Sequence, residues 1–134
     1  MGATFSIVGV PGPKGSTTQF RRNSPPVNDS RVGRMWERAV MRQAPKLDLE
    51  PPYHVLLRFL YPTVKRSKWG YPVQNDLDKV VRCTLDGLVK AGTIRDDRYV
   101  IHLTATKLYA EPGQEPGVVV TVGPWGAGDG AAAR

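Results

Sequence analysis

Residues 76–92 read DLDKVVRCTLDGLVKAG, and the period of this stretch decides the central element of the fold. Leu77, Val81, Leu85 and Leu88 recur every three or four residues, with Val80, Thr84 and Val89 widening the stripe. That spacing predicts an amphipathic helix from Leu77 to Ala91. The opposite side carries Asp78, Arg82, Asp86 and Lys90, a ladder of alternating sign in which each residue meets the next one turn on. Asp76 and Asp78 open the helix, and Gly92 is placed to stop it, since glycine accepts the left-handed conformation of a helix C-terminus.

Working outward, Tyr53 to Leu60 alternates as a half-buried strand closed by Tyr61-Pro62. Thr4 to Val10 predicts a first strand, stopped by Pro11-Gly12-Pro13. Arg34 to Ala44 has helical character, with Met35, Ala39 and Arg42 on one side and Trp36 and Val40 beside them. Asp29 or Ser30 is placed to open this helix and Pro45 to end it. Between strand and helix, Lys14 to Arg34 is polar and contains Pro25-Pro26, which predicts a long loop or an open hairpin. Beyond Gly92, Arg98 to Tyr109 and Gly117 to Val122 predict two strands joined through Glu111-Pro112-Gly113. The order is strand, basic loop, helix, strand, basic loop, helix, strand, strand. It predicts an α+β domain over residues 1–123, a mixed sheet with two main helices on one face. Residues 124–134, rich in Gly and Ala, are expected to form a disordered tail.

With 134 residues there is room for one core but not for a large enclosed substrate cavity. A site here is an open surface or is completed by a second subunit. Nineteen Lys and Arg face twelve Asp and Glu, for a net charge of +7. Such an excess implies an anionic partner. Residues 1–46 alone hold eight basic residues against Asp29 and Glu37, a skew that favours a phosphate-contacting surface over an ordinary solvated face of mixed sign. The single cysteine, Cys83, excludes an internal disulfide and a cysteine-based zinc site, and its apolar neighbours predict a buried thiol. No signal peptide pattern and no run of roughly 20 apolar residues is present, so the expectation is a soluble intracellular protein. Around Lys65, Arg66 and Lys68, the neighbouring Trp69 suits a nucleic-acid backbone with an unstacked base; alternatively the tryptophan folds back onto the core.

Five of the twelve acids, Asp76, Asp78, Asp86, Asp96 and Asp97, lie within 22 residues of this basic chain. More plainly read, acids at a helix N-terminus gain roughly 0.3–1 kcal/mol from the helix dipole. Asp78 and Asp86 can pair with Arg82 and Lys90, and Asp96-Asp97 can be a turn. Those roles explain each acid singly, but not Asp-Leu-Asp followed by a second acidic pair. Carboxylates from two segments can instead hold Mg²⁺ against a phosphodiester. Residues two apart on a helix point about 200° from each other, so Asp76 and Asp78 converge only if Asp76 precedes the helix in extended geometry. A helix from 77 to 90 is about 21 Å long, so Asp97 has to return along it to reach them.

The segments Asn75-Asp76-Leu77-Asp78-Lys79-Val80-Val81-Arg82, Leu85-Asp86-Gly87-Leu88 and Asp96-Asp97-Arg98-Tyr99-Val100 resemble the signature of the RusA family of Holliday-junction resolvases. Gly9 to Ser16 is similar to that family's first strand and turn, and Asp29-Ser30 with Trp36 to Val40 to its first helix. The likeness spans roughly residues 5 to 122. It implies a homodimeric nuclease that nicks four-way DNA junctions with Mg²⁺ or Mn²⁺ in recombination and repair, in the cytoplasm of a bacterial or phage-infected cell. By position it makes Asp76, Asp78 and Asp97 metal ligands, with Asp96 a possible substitute. Arg82 stands where many members have a catalytic Lys. Asn75 replaces a frequent Arg, and Lys79 a frequent Asn. An Arg gives up a proton far less readily than Lys, so Arg82 suits phosphate charge stabilisation better than leaving-group protonation. Lys14, Arg66, Lys68 and Lys79 are the expected DNA contacts.

Two other classes remain open on sequence. One is a branched-DNA-binding protein without catalysis. The other is a glycosyltransferase using Asp76-x-Asp78 for a nucleotide-sugar metal, for which 134 residues leave little space and no Gly-rich phosphate fingerprint is present. His54 and His102 fall inside expected strands without a partnering motif.

Overall fold

A computed structural model of the chain describes residues 2–13, 17–18, 27–28, 31–63 and 67–126. Nine elements follow one another: β1 (Ala3–Val8), β2 (Thr17–Thr18), β3 (Val27–Asn28), α1 (Arg31–Gln43), β4 (Tyr53–Tyr61), α2 (Leu77–Ala91), a short 3-10 turn (Asp97–Tyr99), β5 (Val100–Tyr109) and β6 (Gly117–Pro124). The expected order holds, and β2 with β3 makes the polar stretch a hairpin. Asp29 and Ser30, the expected openers of α1, lie outside the described residues, as do residues 127–134 of the tail.

Four strands form a mixed sheet in the order β1-β6-β4-β5. β4 and β5 are parallel, joined across α2, while β6 runs antiparallel to both β4 and β1. Register explains the single core: Val55, Leu57 and Phe59 sit level with Val122, Val120 and Val118, and Ile7 with Val118. All seven are buried, and Trp36, Val40, Val80, Val81 and Leu88 of the helices pack into the same cluster. In α1 the buried positions are Gly33, Trp36 and Val40, whereas Met35 faces outward.

The two helices are locked by three contacts. Trp36 Nε1 donates to Thr84 Oγ1 at 2.9 Å within the core, satisfying the indole's one donor. Cys83 Sγ donates to the Gly33 carbonyl, so the lone thiol is buried and free of disulfides as expected. At Gly87 a methyl group would stand 2.8 Å from the Val40 side chain, so α1 and α2 cross where α2 lacks a Cβ. Gly92 adopts φ 82° and caps α2 with its N–H bonded to the Leu88 and Val89 carbonyls. β6 runs past residue 123 to Pro124, and Trp125 then donates its backbone N–H to the Pro52 carbonyl and stacks on His102. None of the described helices is long and apolar enough to cross a membrane.

Candidate active site

The parallel β4–α2–β5 unit carries the acids, and its geometry sorts them. At the end of β4 the chain returns to α2 through Asn75, which holds φ 66°, a conformation Asn tolerates better than most residues. Its side-chain amide donates to the Pro11 carbonyl at 3.0 Å and to Tyr61 Oη at 3.2 Å. Its carbonyl accepts from Lys107 Nζ at 2.8 Å. Segments from β1, β4 and β5 therefore converge on the one residue before Asp76. Burial pushes the Tyr61 phenol above its ordinary pKa, with the Asn75 bond pulling the other way, so it stays protonated at neutral pH.

Asp76 is the N-cap of α2 in extended geometry, φ −73° and ψ 133°, which is the condition for it to converge with Asp78. Its carbonyl accepts from the N–H groups of Lys79 and Val80, but its carboxylate makes no cap hydrogen bond. A cap residue that leaves its side chain unused forgoes about 1 kcal/mol. The carboxylate instead faces solvent, 70% exposed, with Lys79 Nζ 3.6 Å away. Asp78 is exposed in the first turn. Arg82 is exposed one turn further on.

Beside this end stands an aromatic ledge. Ser67 donates its N–H to Tyr109 Oη at 2.7 Å and its hydroxyl to the Tyr71 carbonyl, which Tyr109 Oη also reaches. Those bonds tether the loop to the C-terminal end of β5. Trp69 and Tyr71 remain 60% and 57% exposed, so the tryptophan does not fold back onto the core. Lys68 Nζ lies 4.8 Å from the Trp69 ring centroid, within cation–π range. Lys14 and Arg66 lie outside the described residues.

The remaining acids gather elsewhere. Asp86, Asp96 and Asp97 line one shallow depression with Val89 and Lys90. Asp96 accepts the Arg98 N–H at 3.0 Å, the bond that most lowers its pKa. Asp97 moves the opposite way: partial burial, then the hydrogen bond to Asp96 and the charges of Asp96 and Asp86, raise its pKa. Asp86 lies eight residues beyond Asp78, about 12 Å along the helix axis. Asp97 is therefore brought to Asp86 and Asp96, and not to Asp76 and Asp78. The expected approach of β5 to Asn75 does occur, but through Lys107 near its far end. Among the described residues, no three His, Cys, Asp or Glu side chains are arranged to hold a metal ion. One chain alone does not fit the ion.

Sequence reasoning did not single out Tyr61, Tyr71, Lys107 or Tyr109. Their partners are 14 to 42 residues away in sequence or are backbone atoms, so local pattern carries no trace of them. Asn75 carried one usable signal, as a residue tolerant of positive φ directly before a helix cap.

Solvent-facing carboxylates at the start of a helix, an anchored aromatic ledge and a net charge of +7 define a protein directed at nucleic acid, with no enclosed small-molecule site between them. Comparison sharpens that class: the family model Endodeoxyribonuclease RusA matches residues 11–123. The chain belongs to the RusA endodeoxyribonuclease family, as the motifs suggested. No curated protein matches it.

Proposed function

We propose that the protein is an endonuclease that resolves four-way DNA junctions by paired phosphodiester nicks, acting as a homodimer with Mg²⁺ or Mn²⁺ in recombination and repair. The observation that carries this is the pair Asp76 and Asp78, held outward at one helix start in a chain of RusA membership. Their hard oxygen donors suit Mg²⁺, and Asp97 is the third ligand that family position assigns, with Asp96 as substitute. Because the three do not meet within one chain, no catalytic step is derived through the ion.

The residues present do other work. Arg82 faces solvent between the two acidic groups and is suited to phosphate charge as it builds up, since guanidinium stays protonated. Lys68, with Lys14 and Arg66, contacts backbone phosphates in a sequence-independent, salt-sensitive way. Lys79 screens Asp76 from its helix neighbour and stands ready to exchange that partner for phosphate.

The test is cleavage of a synthetic four-way junction against linear duplex, with and without Mg²⁺, by the native chain and Asp76→Asn. Junction-selective, Mg²⁺-dependent nicking that Asp76→Asn abolishes while junction binding persists is expected. Equal cutting of both substrates would remove the resolvase assignment. Junction binding with no cutting by the native chain would leave a branched-DNA-binding protein.

A further inference from the structure

The acids of this chain sit at two levels of one helix, and the gap between them is the starting point. Ligands sharing one Mg²⁺ at about 2.0–2.1 Å have their oxygens within roughly 4 Å of each other. Asp78 and the Asp86–Asp97 group are about 12 Å apart along α2, too far for the side chains of one chain to bridge.

The exposed face of α2 offers a way to close that gap. Its ladder runs Asp78, Arg82, Asp86, Lys90, minus, plus, minus, plus. A two-fold axis perpendicular to the helix and level with Thr84 turns this ladder onto itself. Asp78 then falls opposite Lys90 of the partner subunit, and Arg82 opposite Asp86 of the partner subunit. Every rung meets its opposite charge, whereas a parallel pairing sets like against like. Lys90 is already held by Glu37 of α1, which fixes where its charge stands. Exposed pairs of this kind contribute little affinity and mainly set register. Apolar area is available beside them: Leu85 and Val89 are half-buried next to the ladder. Ile101 and Leu103, just after the Asp97–Tyr99 turn, remain 57% and 43% exposed.

We infer that α2 packs antiparallel against α2 of a second copy of this chain in that register, and that Asp97 of the partner subunit completes the Asp76–Asp78 site. The rotation exchanges the two halves of the helix. Asp97 lies beside Asp86, Val89 and Lys90, so the partner's Asp97 comes to the stretch from Arg82 to Asp78. Each dimer then holds two composite sites, and Arg82 lies within each. The packing stands independently of the nuclease assignment; the completed site rests on it.

Two measurements on the full chain test the two parts. Sedimentation velocity is expected to show a dimer that Arg82→Glu or Asp86→Arg alone dissociates by at least about tenfold in Kd, and that the double exchange Arg82→Glu/Asp86→Arg restores. A monomer, or single variants as dimeric as the native chain, would overturn the packing. Single and double variants equally monomeric would overturn the register. For the site, Asp76→Asn and Asp97→Asn chains are mixed and allowed to exchange subunits. Half of the dimers are then mixed, with one of two sites intact, so nicking returns to about a quarter of native. No recovery, with the native chain active, would place Asp97 in its own chain's site and overturn the completion. A native chain that cuts nothing would overturn the nuclease assignment, while the sedimentation results would still decide the packing.

Discussion

The two ends of α2 carry the same residue type in opposite circumstances. At the start, Asp76 and Asp78 project from a helix N-terminus whose dipole favours negative charge, beside Lys79 and over a backbone pinned by Asn75. Near the end, Asp96 and Asp97 share a hydrogen bond, with Asp86 adding a third negative charge, and Asp97 is harder to ionise than an ordinary aspartate. One end is an outward acidic display on a fixed frame. The other is a crowded acidic group that an incoming cation would relieve. Position along a helix decides what a carboxylate is for.

The contrast can be broken from either side, and the largest effect is expected at the display. Asp78→Asn should lower junction nicking by on the order of 100-fold or more while a gel-shift assay shows junction binding kept, because charge at the reacting phosphate is lost and the fold is untouched. Loss of binding together with nicking would make Asp78 a folding residue instead.

The frame comes next. Asn75→Ala forces alanine into φ 66° and removes two side-chain hydrogen bonds. A stability loss of about 2 kcal/mol by urea unfolding is expected. Asn75→Gly relieves the dihedral alone and should recover roughly half. If both variants match the native chain, the convergence on Asn75 contributes nothing.

Trp69→Ala probes the ledge beside the display. Base stacking on an aromatic contributes about 1–3 kcal/mol, so junction affinity should fall roughly tenfold, with Trp69→Phe retaining most of it. An equal loss on linear duplex would show that the ring reads no branch point.

The smallest effect belongs to the crowded end. A carboxyl whose pKa is raised on folding lowers stability as pH rises through the interval between its unfolded and folded pKa values. Asp97→Asn should therefore raise the thermal midpoint slightly at pH 7 and leave it unchanged at pH 3, where the native side chain is protonated in both states. A destabilised variant at pH 7 would mean that Asp97 makes a favourable contact as an anion.

Much of this was legible in the chain itself. The 3.6-residue period from Leu77 to Ala91 and glycine's tolerance at position 92 placed α2 with its observed limits, because both are local properties of backbone and side-chain spacing. The motif around Asp76, Asp78 and Asp97 was enough to identify the family that residues 11–123 match. What only the tertiary structure decided was which acids meet. Asp97 was grouped with Asp76 and Asp78 by sequence motif, but α2 is a rigid rod and β4 and β5 are parallel. A parallel crossover sends the chain back to the opposite end of the sheet before β5 begins, and that distance appears in no local pattern. The anchoring of Asn75 by Pro11, Tyr61 and Lys107 was hidden for the same reason, since hydrogen bonds across 14 to 64 residues exist only once the strands are in register.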